Sequence, residues 1–216
     1  MISRVAKYNL ERDKNVLGKQ WLSTYGNYFS SEENILNFIQ AVAPFVGTKK
    51  LDILYVASAS GLLGEKVVQH FGGNLTIIDV SQKHLDENKN PKTTKICEDL
   101  LNMNLNKKFD LIIMRSSLDY FPSKSLQIKV LKIIRRHLRD GGMFVNQPAY
   151  IPDLKERDIF CKIYNSSSKI GKRYFQSDDI VHLYKSAGFA FFRKISNGKE
   201  LNITEKDHVE RYEIDI

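Results

Sequence analysis

Two neighbouring stretches decide the fold, ILYVASASGLLGEKV (Ile53–Val67) and LTIIDVSQKHLDEN (Leu75–Asn88). Each starts with an apolar run of the length expected for a buried parallel strand and continues into a segment with helical spacing. Between them, Gly72-Gly73 marks the end of the first helix. This order of strand, turn, helix and strand predicts a parallel sheet with helices on both faces.

The same alternation continues on both sides of these stretches. The residue pattern predicts that Ser30 caps a helix with Glu33 at the capping-box position, and that Asp140-Gly141-Gly142 ends a later helix. We expect a doubly wound, mostly parallel α/β fold with an antiparallel last strand in the tail His208–Ile216. The predicted strands are Leu51–Ala57, Leu75–Val80, Thr93–Cys97, Phe109–Met114, Met143–Asn146 and Phe189–Ile195; the main predicted helices outside the two stretches are Ser30–Ala43, Ser123–Arg139, Asp153–Tyr164 and Ser177–Ser186.

Length and composition suit one domain, since 216 residues with 42% hydrophobic content can bury a substantial core. We expect residues 31–216 to form the α/β domain, with an extension or lid at residues 1–30. The polar region 148–172 is expected to be an insertion that shapes the substrate region.

No segment has the roughly 20 apolar residues of a membrane span, and the start MISRVAKYNLERDKN has no signal-peptide core. These features predict a cytoplasmic protein without membrane contact. Cys97 and Cys161 are the two cysteines, and neither has metal-ligand spacing around it. We therefore expect no metal site and interpret Cys97, within a strand-like run, as a buried free thiol.

The formal net charge of +8 raises the question of an anionic partner such as RNA. However, the basic residues are spread along the chain. Arg135, Arg136 and Arg139 fall near a predicted helix C-terminus, where cations stabilise the helix without any partner. A nucleic-acid partner is possible but is not favoured.

The most informative constellation is the small-residue turn after the first strand, the helix that follows it, and Asp79 at the end of the second strand. A turn of small residues lets a ligand approach the backbone, and the helix N-terminus favours an anionic group. An acidic residue about 20 positions further on can bind ribose hydroxyls. A nucleoside site at the carboxyl edge of the sheet is therefore predicted, although an ordinary strand–turn–helix with Asp79 as a capping residue would give the same spacing.

At this point the sequence resembles the class I S-adenosylmethionine-dependent methyltransferases, particularly the small-molecule branch. The resemblance is carried by the two opening stretches together with FDLIIMRSSLDYF (Phe109–Phe121) and RYFQSDDIVHLYKSAGF (Arg173–Phe189). It implies a Rossmann-like fold, S-adenosylmethionine as cofactor with S-adenosylhomocysteine as product, and in-line methyl transfer to a small-molecule acceptor.

The resemblance also implies cofactor-binding roles for particular positions. Asp79 would bind the ribose hydroxyls, and Val80 would pack on the adenine. Asp99 and Leu100 would contact the adenine amino edge. The turn residues Ala57, Ser58, Ala59 and Gly61 would line the methionine part, and Met114, Arg115 and Ser116 would form the floor near the sulfonium.

One departure from the family concerns its Asp/Glu-x-Gly-x-Gly-x-Gly pattern, which this chain replaces with Tyr55, Ala57, Ala59 and Gly61. Alanine disfavours positive φ and adds a methyl group where ligand atoms approach. We therefore expect weaker cofactor binding or an altered pose, and a non-catalytic binding or scaffold protein stays an alternative.

Four residues are candidates for contact with the acceptor. Asp119 and Tyr120 follow the fourth strand, where Asp119 can accept a proton, and Tyr25 and Tyr28 precede the first domain helix, where related enzymes close a lid. We predict catalytic roles for Asp119, Tyr28 and Tyr120. The competing interpretation is packing for the tyrosines and a helix-flanking position for Asp119.

Two further enzyme classes compete with this prediction. An RNA-modifying methyltransferase would fit the charge, but Arg115-Ser116-Ser117-Leu118 stands where a base-methylating motif would be. A nicotinamide-dependent oxidoreductase requires Gly-x-Gly-x-x-Gly after the first strand, and those positions begin Ala57-Ser58-Ala59.

Overall fold

The computed structural model describes residues 2–12, 31–47, 50–148, 153–167, 172–177, 179–191, 194–196, 199–200 and 214–215. The helices in these ranges are α1 (Arg4–Arg12), α2 (Glu32–Val42), α3 (Leu62–Phe71), α4 (Gln82–Glu87), α5 (Lys124–His137), α6 (Leu154–Ser167) and α7 (Ile180–Ala187). The strands are β1 (Leu51–Val56), β2 (Gly73–Asp79), β3 (Thr94–Cys97), β4 (Phe109–Arg115), β5 (Leu138–Gln147), β6 (Lys194–Ser196), β7 (Lys199–Glu200) and β8 (Ile214–Asp215).

The sheet has the strand order β3-β2-β1-β4-β5-β8-β6-β7. The first five strands in that order pair in parallel, which confirms the α/β fold predicted from the sequence. β8 pairs antiparallel with β5 through Asn146 and Asp215, and with β6. The strand order reverses at β1 and β4, which is where open α/β sheets bind their ligands at the carboxyl ends.

The core divides between the two faces of the sheet, as alternation along β1 requires. Leu54 and Val56 face a cluster built with α5 and α7. Ile53 and Tyr55 face a second cluster built with α2 and α3. Ile53, Leu54 and Val56 are each fully buried, which stabilises the fold by roughly 1.5–3 kcal/mol per aliphatic side chain.

The N-terminus of α2 differs from the prediction. The helix begins at Glu32, and its cap is Ser31, whose hydroxyl accepts a hydrogen bond from Asn34 N–H. With the cap at Ser31, the third helical position is Asn34, so Glu33 is not at the capping-box position. The predicted cap, Ser30, lies outside the described residues.

The prediction that Asp140-Gly141-Gly142 separates a helix from a strand is wrong. α5 ends at His137, and β5 starts at Leu138 and runs through the two glycines. Gly141 has φ 71°, and the β4–β5 register shifts between Phe109 and Leu111. The glycines therefore allow an irregularity inside the strand, because only glycine adopts positive φ without strain.

The C-terminal end of α7 also differs from the prediction of a strand from Phe189. Gly188 adopts φ 90°, and Phe189 N–H donates to the Tyr184 carbonyl at 3.1 Å. This turn packs the Phe189 ring against Phe144 and Tyr184. Residues 189–191 are consequently not in a strand, and β6 covers Lys194–Ser196.

Cys97 is a free thiol, as is Cys161, but the prediction that Cys97 is buried is wrong. β3 is the edge strand of the sheet, and most of its residues are exposed. Cys161, on α6, is the buried cysteine.

The described parts of the predicted extension and insertion both contact the domain. Near α1, Ser3 N–H donates to the Asp99 carboxylate at 2.7 Å. On α6, the Arg157 guanidinium donates to Ser177 at 3.0 Å and to Asp179 at 3.1 Å. The boundaries at residues 30 and 148–172 stay predictions. None of the described helices is long and apolar enough to cross a membrane.

Candidate functional site

The turn after β1 keeps a glycine-like backbone although two of its residues are alanines. Ala57 has φ 48° and Ala59 has φ 49°. An L-residue in this left-handed region costs roughly 1–2 kcal/mol. Ser58 between them is buried, its N–H donates to the Ile78 carbonyl at 3.2 Å, and Ala59 is exposed. The chain therefore retains the turn at the cost of local strain.

Gly61 ends this turn and is the N-cap of α3. It has φ 77°, and a Cβ there would lie 2.8 Å from Ile77 Cγ2, so both conformation and space require glycine. Gly61 gives α3 no side-chain cap, whereas Ser81 and Ser123 cap α4 and α5 through their hydroxyls. The first N–H groups of α3 thus lack a side-chain acceptor at the cap position, which suits an anionic or polar ligand group.

Asp79, at the end of β2, closes the other side of the turn. Its carboxylate accepts hydrogen bonds from Ala59 N–H and from Ser81 N–H, each at 2.9 Å. The side chain is partly exposed, and a carboxylate offers about four acceptor positions. Asp79 therefore faces the turn, and its binding to ligand hydroxyls stays a prediction.

Asn88 and Glu65 support the turn, and the sequence analysis did not predict this role for them. Asn88 Nδ2 donates to the Ser60 carbonyl and to Glu65 Oε1, both at 3.0 Å. Burial by itself raises the pKa of the Glu65 carboxyl, but hydrogen bonds from Thr93, Asn88 and Asn90 outweigh it and lower the pKa. The sequence signal for this support is the Asn-rich stretch after α4, Asn88-Lys89-Asn90.

The residues predicted to contact the adenine lie at the ends of β2 and β3. Val80 is half-buried, and Cys97 pairs in register with Asp79. Leu100 packs into the core. Asp99 is buried and uses both oxygens for the backbone, accepting from Ser3 N–H and Leu101 N–H. Contact of these residues with adenine stays a prediction, and Asp99 also anchors the N-terminal segment.

At the end of β4 the three predicted floor residues have different environments. Met114 is fully buried in the cluster with α5 and α7, so its side chain belongs to the core rather than to a ligand surface. Arg115 is 6% exposed. Ser116 has φ 46°, and its N–H donates to the Gln147 carbonyl at 2.7 Å, which ties this turn to β5.

Tyr55 takes the position where the related family has an acidic residue. It is 7% exposed and lies on the α2/α3 side of the sheet. Burial raises the pKa of its hydroxyl, the charge of Arg115 lowers it, and the charge of Asp79 raises it. Tyr55 therefore lies within electrostatic reach of both the cation and the carboxylate.

Asp119 and Tyr120 form a cluster with Arg173. Asp119 is fully buried, and its carboxylate pairs with the Arg173 guanidinium at 3.2 Å. The same guanidinium stacks on the Tyr120 ring, 3.9 Å from its centroid, and donates to the Tyr120 hydroxyl. The buried ion pair favours a positioning role for Asp119, whose proton-accepting role stays a prediction. Tyr28 and Tyr25 lie outside the described residues.

No group of three or more His, Cys, Asp or Glu side chains in the described residues is arranged to hold a metal ion. The candidate site is built from the turn, the α3 N-terminus and Asp79, with Tyr55 and Arg115 beside them.

Residues 53–142 match the model of a family described as a methyltransferase domain. The matched range begins in β1 and ends in β5, so it contains the turn, Asp79 and the end of β4. No curated protein sequence matches the chain.

Several solved structures share the fold. An S-adenosylmethionine-dependent methyltransferase from Clostridium acetobutylicum aligns with a TM-score of 0.64 and 18% identity, covering 92% of this chain and 97% of that one. The N-methyltransferase NodS from Bradyrhizobium japonicum, in complex with S-adenosyl-L-homocysteine, aligns with a TM-score of 0.59 and 15% identity over 85% and 84% of the two chains. CalS10, an amino pentose methyltransferase from Micromonospora echinaspora solved with S-adenosylmethionine bound, has a TM-score of 0.54 and 15% identity over 61% and 57%. At these identities the likeness establishes the fold.

Proposed function

We propose that this chain, whose residues 53–142 match a methyltransferase domain, is an S-adenosylmethionine-dependent methyltransferase acting on a small-molecule acceptor. The observation that carries the proposal is the convergence of three features at one edge of the sheet. These are the left-handed turn at Ala57 and Ala59, the α3 N-terminus without a side-chain cap, and the Asp79 carboxylate directed at that turn.

The residues present fit such a cofactor. Asp79 supplies acceptor positions for the two ribose hydroxyls, and Val80 offers an apolar surface beside it for the adenine. The turn brings backbone N–H groups to the surface, although the exposed Ala59 methyl reduces the room above it. This is the physical reason to expect moderate rather than tight binding.

When bound, S-adenosylmethionine supplies a methyl group on a sulfonium, which is already an activated electrophile. The task of the chain is therefore to bind, orient and exclude water. Asp79 and the turn fix the nucleoside, and the ion pair of Asp119 with Arg173 holds Tyr120 at the edge of β4. A base is needed only if the acceptor must lose a proton, and Asp119, Tyr120 and Tyr28 are the proposed candidates.

The support for a small-molecule acceptor comes from the neighbours of the fold. NodS is an N-methyltransferase, and CalS10 is an amino pentose methyltransferase, so in CalS10 this fold accommodates a small amine-bearing acceptor. We propose that the present chain also acts on a small-molecule acceptor, and we do not propose that it shares the substrate of NodS or CalS10.

Isothermal titration calorimetry of the full chain with S-adenosylhomocysteine tests cofactor binding. We expect a dissociation constant in the micromolar range and a loss of at least tenfold in Asp79→Ala. The control is Asp86→Ala, whose carboxylate bonds to Gln82 on the exposed side of α4 and should leave affinity unchanged. Absence of binding at millimolar ligand would refute the proposal.

Transfer itself is tested with S-adenosylmethionine labelled in the methyl group and a panel of amine and hydroxyl acceptors. Label appearing in a small-molecule product supports the enzyme assignment. Tight cofactor binding without transfer to any acceptor would favour the alternative of a non-catalytic binding protein, and label in tRNA would favour an RNA acceptor.

A further inference from the structure

The outer side of α5 carries a row of positive charges. Lys129, Lys132 and Arg136 are exposed and are separated by three and then four residues, so they lie on one side of the helix. Side chains at this spacing have Cβ atoms about 5–6 Å apart. α5 contains no Asp or Glu, so no acidic side chain of the same helix interrupts the row.

The surroundings of this row are basic as well. Lys108, which precedes β4, is exposed and donates through its ammonium group to the carbonyl of Arg136. α7 packs against α5, contains no Asp or Glu, and exposes Lys185. We call the surface formed by Lys108, Lys129, Lys132 and Arg136 the basic face.

Stabilisation of the helix explains only a part of this charge. A cation favours the helix dipole within the last turn, where Arg136 lies, whereas Lys129 and Lys132 precede that turn. Like charges three or four residues apart instead repel each other. Lys124, at the start of α5, pairs with Asp179, but within the described part of the chain none of the three residues in the row pairs with a carboxylate. The fold itself therefore does not neutralise the row.

The composition of the basic face indicates the kind of partner that fits it. A row of evenly spaced cations suits regularly repeated negative charges, as in a phosphodiester backbone, because each neutralised phosphate releases a counterion. A helix that binds a membrane surface needs exposed large apolar side chains. Among the described residues such side chains lie on other elements, Leu36 on α2 and Ile159 on α6 for example, and none lies on α5 or α7.

The same two helices favour a duplex over a single strand. Proteins bind unpaired bases by stacking them on aromatic side chains. α5 contains no Phe, Tyr or Trp, and Tyr184, the one such residue of α7, is buried. The basic face therefore offers contacts to phosphates and none for stacking on bases.

The basic face also lies apart from the candidate site. Lys108 comes directly before the first residue of β4, so the end of α5 that it contacts lies at the amino-terminal edge of the sheet. Asp79 and the turn after β1 lie at the carboxyl edge. A partner bound at Arg136 and Lys108 consequently does not occupy the candidate site.

We propose that the basic face binds the phosphate backbone of a double-stranded nucleic acid without sequence preference. The net charge of +8 attracts such a partner at long range. This inference goes beyond the proposed function and does not depend on it. It assigns the duplex as a binding partner and leaves the methyl acceptor as proposed above.

Fluorescence anisotropy tests the proposal, with short labelled DNA and RNA duplexes of one mixed sequence titrated with the full chain. We expect both duplexes to bind with dissociation constants of roughly 1–100 μM near physiological salt, the range of non-specific binding. If four cations contact phosphates, the logarithm of the association constant should fall against the logarithm of the salt concentration with a slope of about −3.6.

A triple variant removes three charges of the basic face: Lys129→Gln, Lys132→Gln and Arg136→Gln. Its binding should be weaker by about tenfold or more, and its salt slope should be smaller in magnitude by about 2.7. Lys132→Gln alone should change the slope by about one, and it replaces the triple variant if circular dichroism shows that the latter is not folded.

The matched control removes three exposed lysines from other surfaces and lowers the net charge equally: Lys92→Gln, Lys155→Gln and Lys162→Gln. This variant should keep the wild-type salt slope and bind within about threefold of the wild type. The comparison separates contact at the basic face from a general effect of net charge.

Three results would overturn the proposal. The first is no binding of either duplex by the wild type at low salt, and the second is equal weakening in the two triple variants. The third is binding to vesicles that contain anionic phospholipid without binding to a duplex, which would identify a membrane surface instead. Titration with S-adenosylhomocysteine decides the proposed function separately, because none of these substitutions lies in the candidate site.

Discussion

The Asp79 carboxylate accepts a hydrogen bond at 2.9 Å from the backbone N–H of Ala59, a residue twenty positions earlier in the chain. This contact joins the end of β2 to the left-handed turn after β1. The carboxylate that is proposed to bind ribose therefore also holds the turn that is proposed to contact the ligand. The turn is therefore shaped before a ligand arrives, which lowers the cost of binding.

Asp79→Asn should lower both stability and affinity. A neutral amide accepts more weakly from Ala59 and Ser81, so the free energy of unfolding should fall by about 1–2 kcal/mol. Affinity for S-adenosylhomocysteine should fall about tenfold or more, measured by calorimetry. Asp86→Asn serves as control, and equal effects of the two substitutions would contradict a specific role for Asp79.

Replacing the strained alanines with glycine should stabilise the protein. Ala57→Gly and Ala59→Gly remove a cost of roughly 1–2 kcal/mol each, and the greater chain entropy of glycine offsets part of that gain. We expect a net gain of about 0.5–1 kcal/mol per site in urea unfolding and affinity for S-adenosylhomocysteine that is equal or higher. Ala41→Gly, within α2, should instead destabilise by about 1 kcal/mol, since its backbone is helical. Loss of stability in both turn variants would show that the alanines are not strained.

Asp119→Asn separates a positioning role from proton transfer. The substitution leaves the half-buried Arg173 guanidinium without this carboxylate, so the free energy of unfolding should fall by about 3 kcal/mol. If Asp119 acts by position, the shape of the pH profile of kcat stays as in the wild type, and Arg173→Met reproduces the loss of stability. Disappearance of the acidic limb of the profile in Asp119→Asn alone would instead identify Asp119 as the proton acceptor.

Acid should weaken the fold partly through Asp52, at the amino end of β1. Burial raises the pKa of its carboxyl, but hydrogen bonds from Lys107, Asn74 and Arg139 outweigh it and lower the pKa from 3.8 to about 2. A pKa that is lower in the folded state stabilises the fold above pH 3.8, and this contribution is lost as the pH falls towards 2.

The measurement is urea unfolding of the wild type and Asp52→Asn across this pH range. We expect a difference of about 1 kcal/mol at neutral pH that shrinks between pH 3.8 and 2. A difference that stays constant down to pH 2 would show that the ion pairs of Asp52 do not contribute.

Local patterns were sufficient for most of the fold. The apolar runs of β1, β2 and β4, the start of α5 after Ser123, and Gly72 at the end of α3 depend on interactions within a few residues. The same holds for the placement of Asp79 opposite the turn, because parallel neighbours in the sheet bring their carboxyl ends together.

Where the prediction failed, distant contacts decided the outcome. Gly141 and Gly142 would end a helix in isolation, yet pairing with β4 draws them into β5. Cys97 looks like a core residue from its apolar neighbours, but β3 forms the edge of the sheet and exposes it. Met114 alternates with Arg115 along β4, and only the packing of α5 and α7 decides that Met114 faces the core.

The sequence by itself determined the layered α/β architecture and the carboxylate that meets the turn, since periodicity, caps and strand ends are local properties of the chain. Tertiary structure alone decided that Ala57 and Ala59 take a glycine-like conformation and that Asp119 is ion-paired and buried. The physical reason is that strain, burial and charge pairing depend on which distant side chains the sheet brings into contact, and no local pattern records those neighbours.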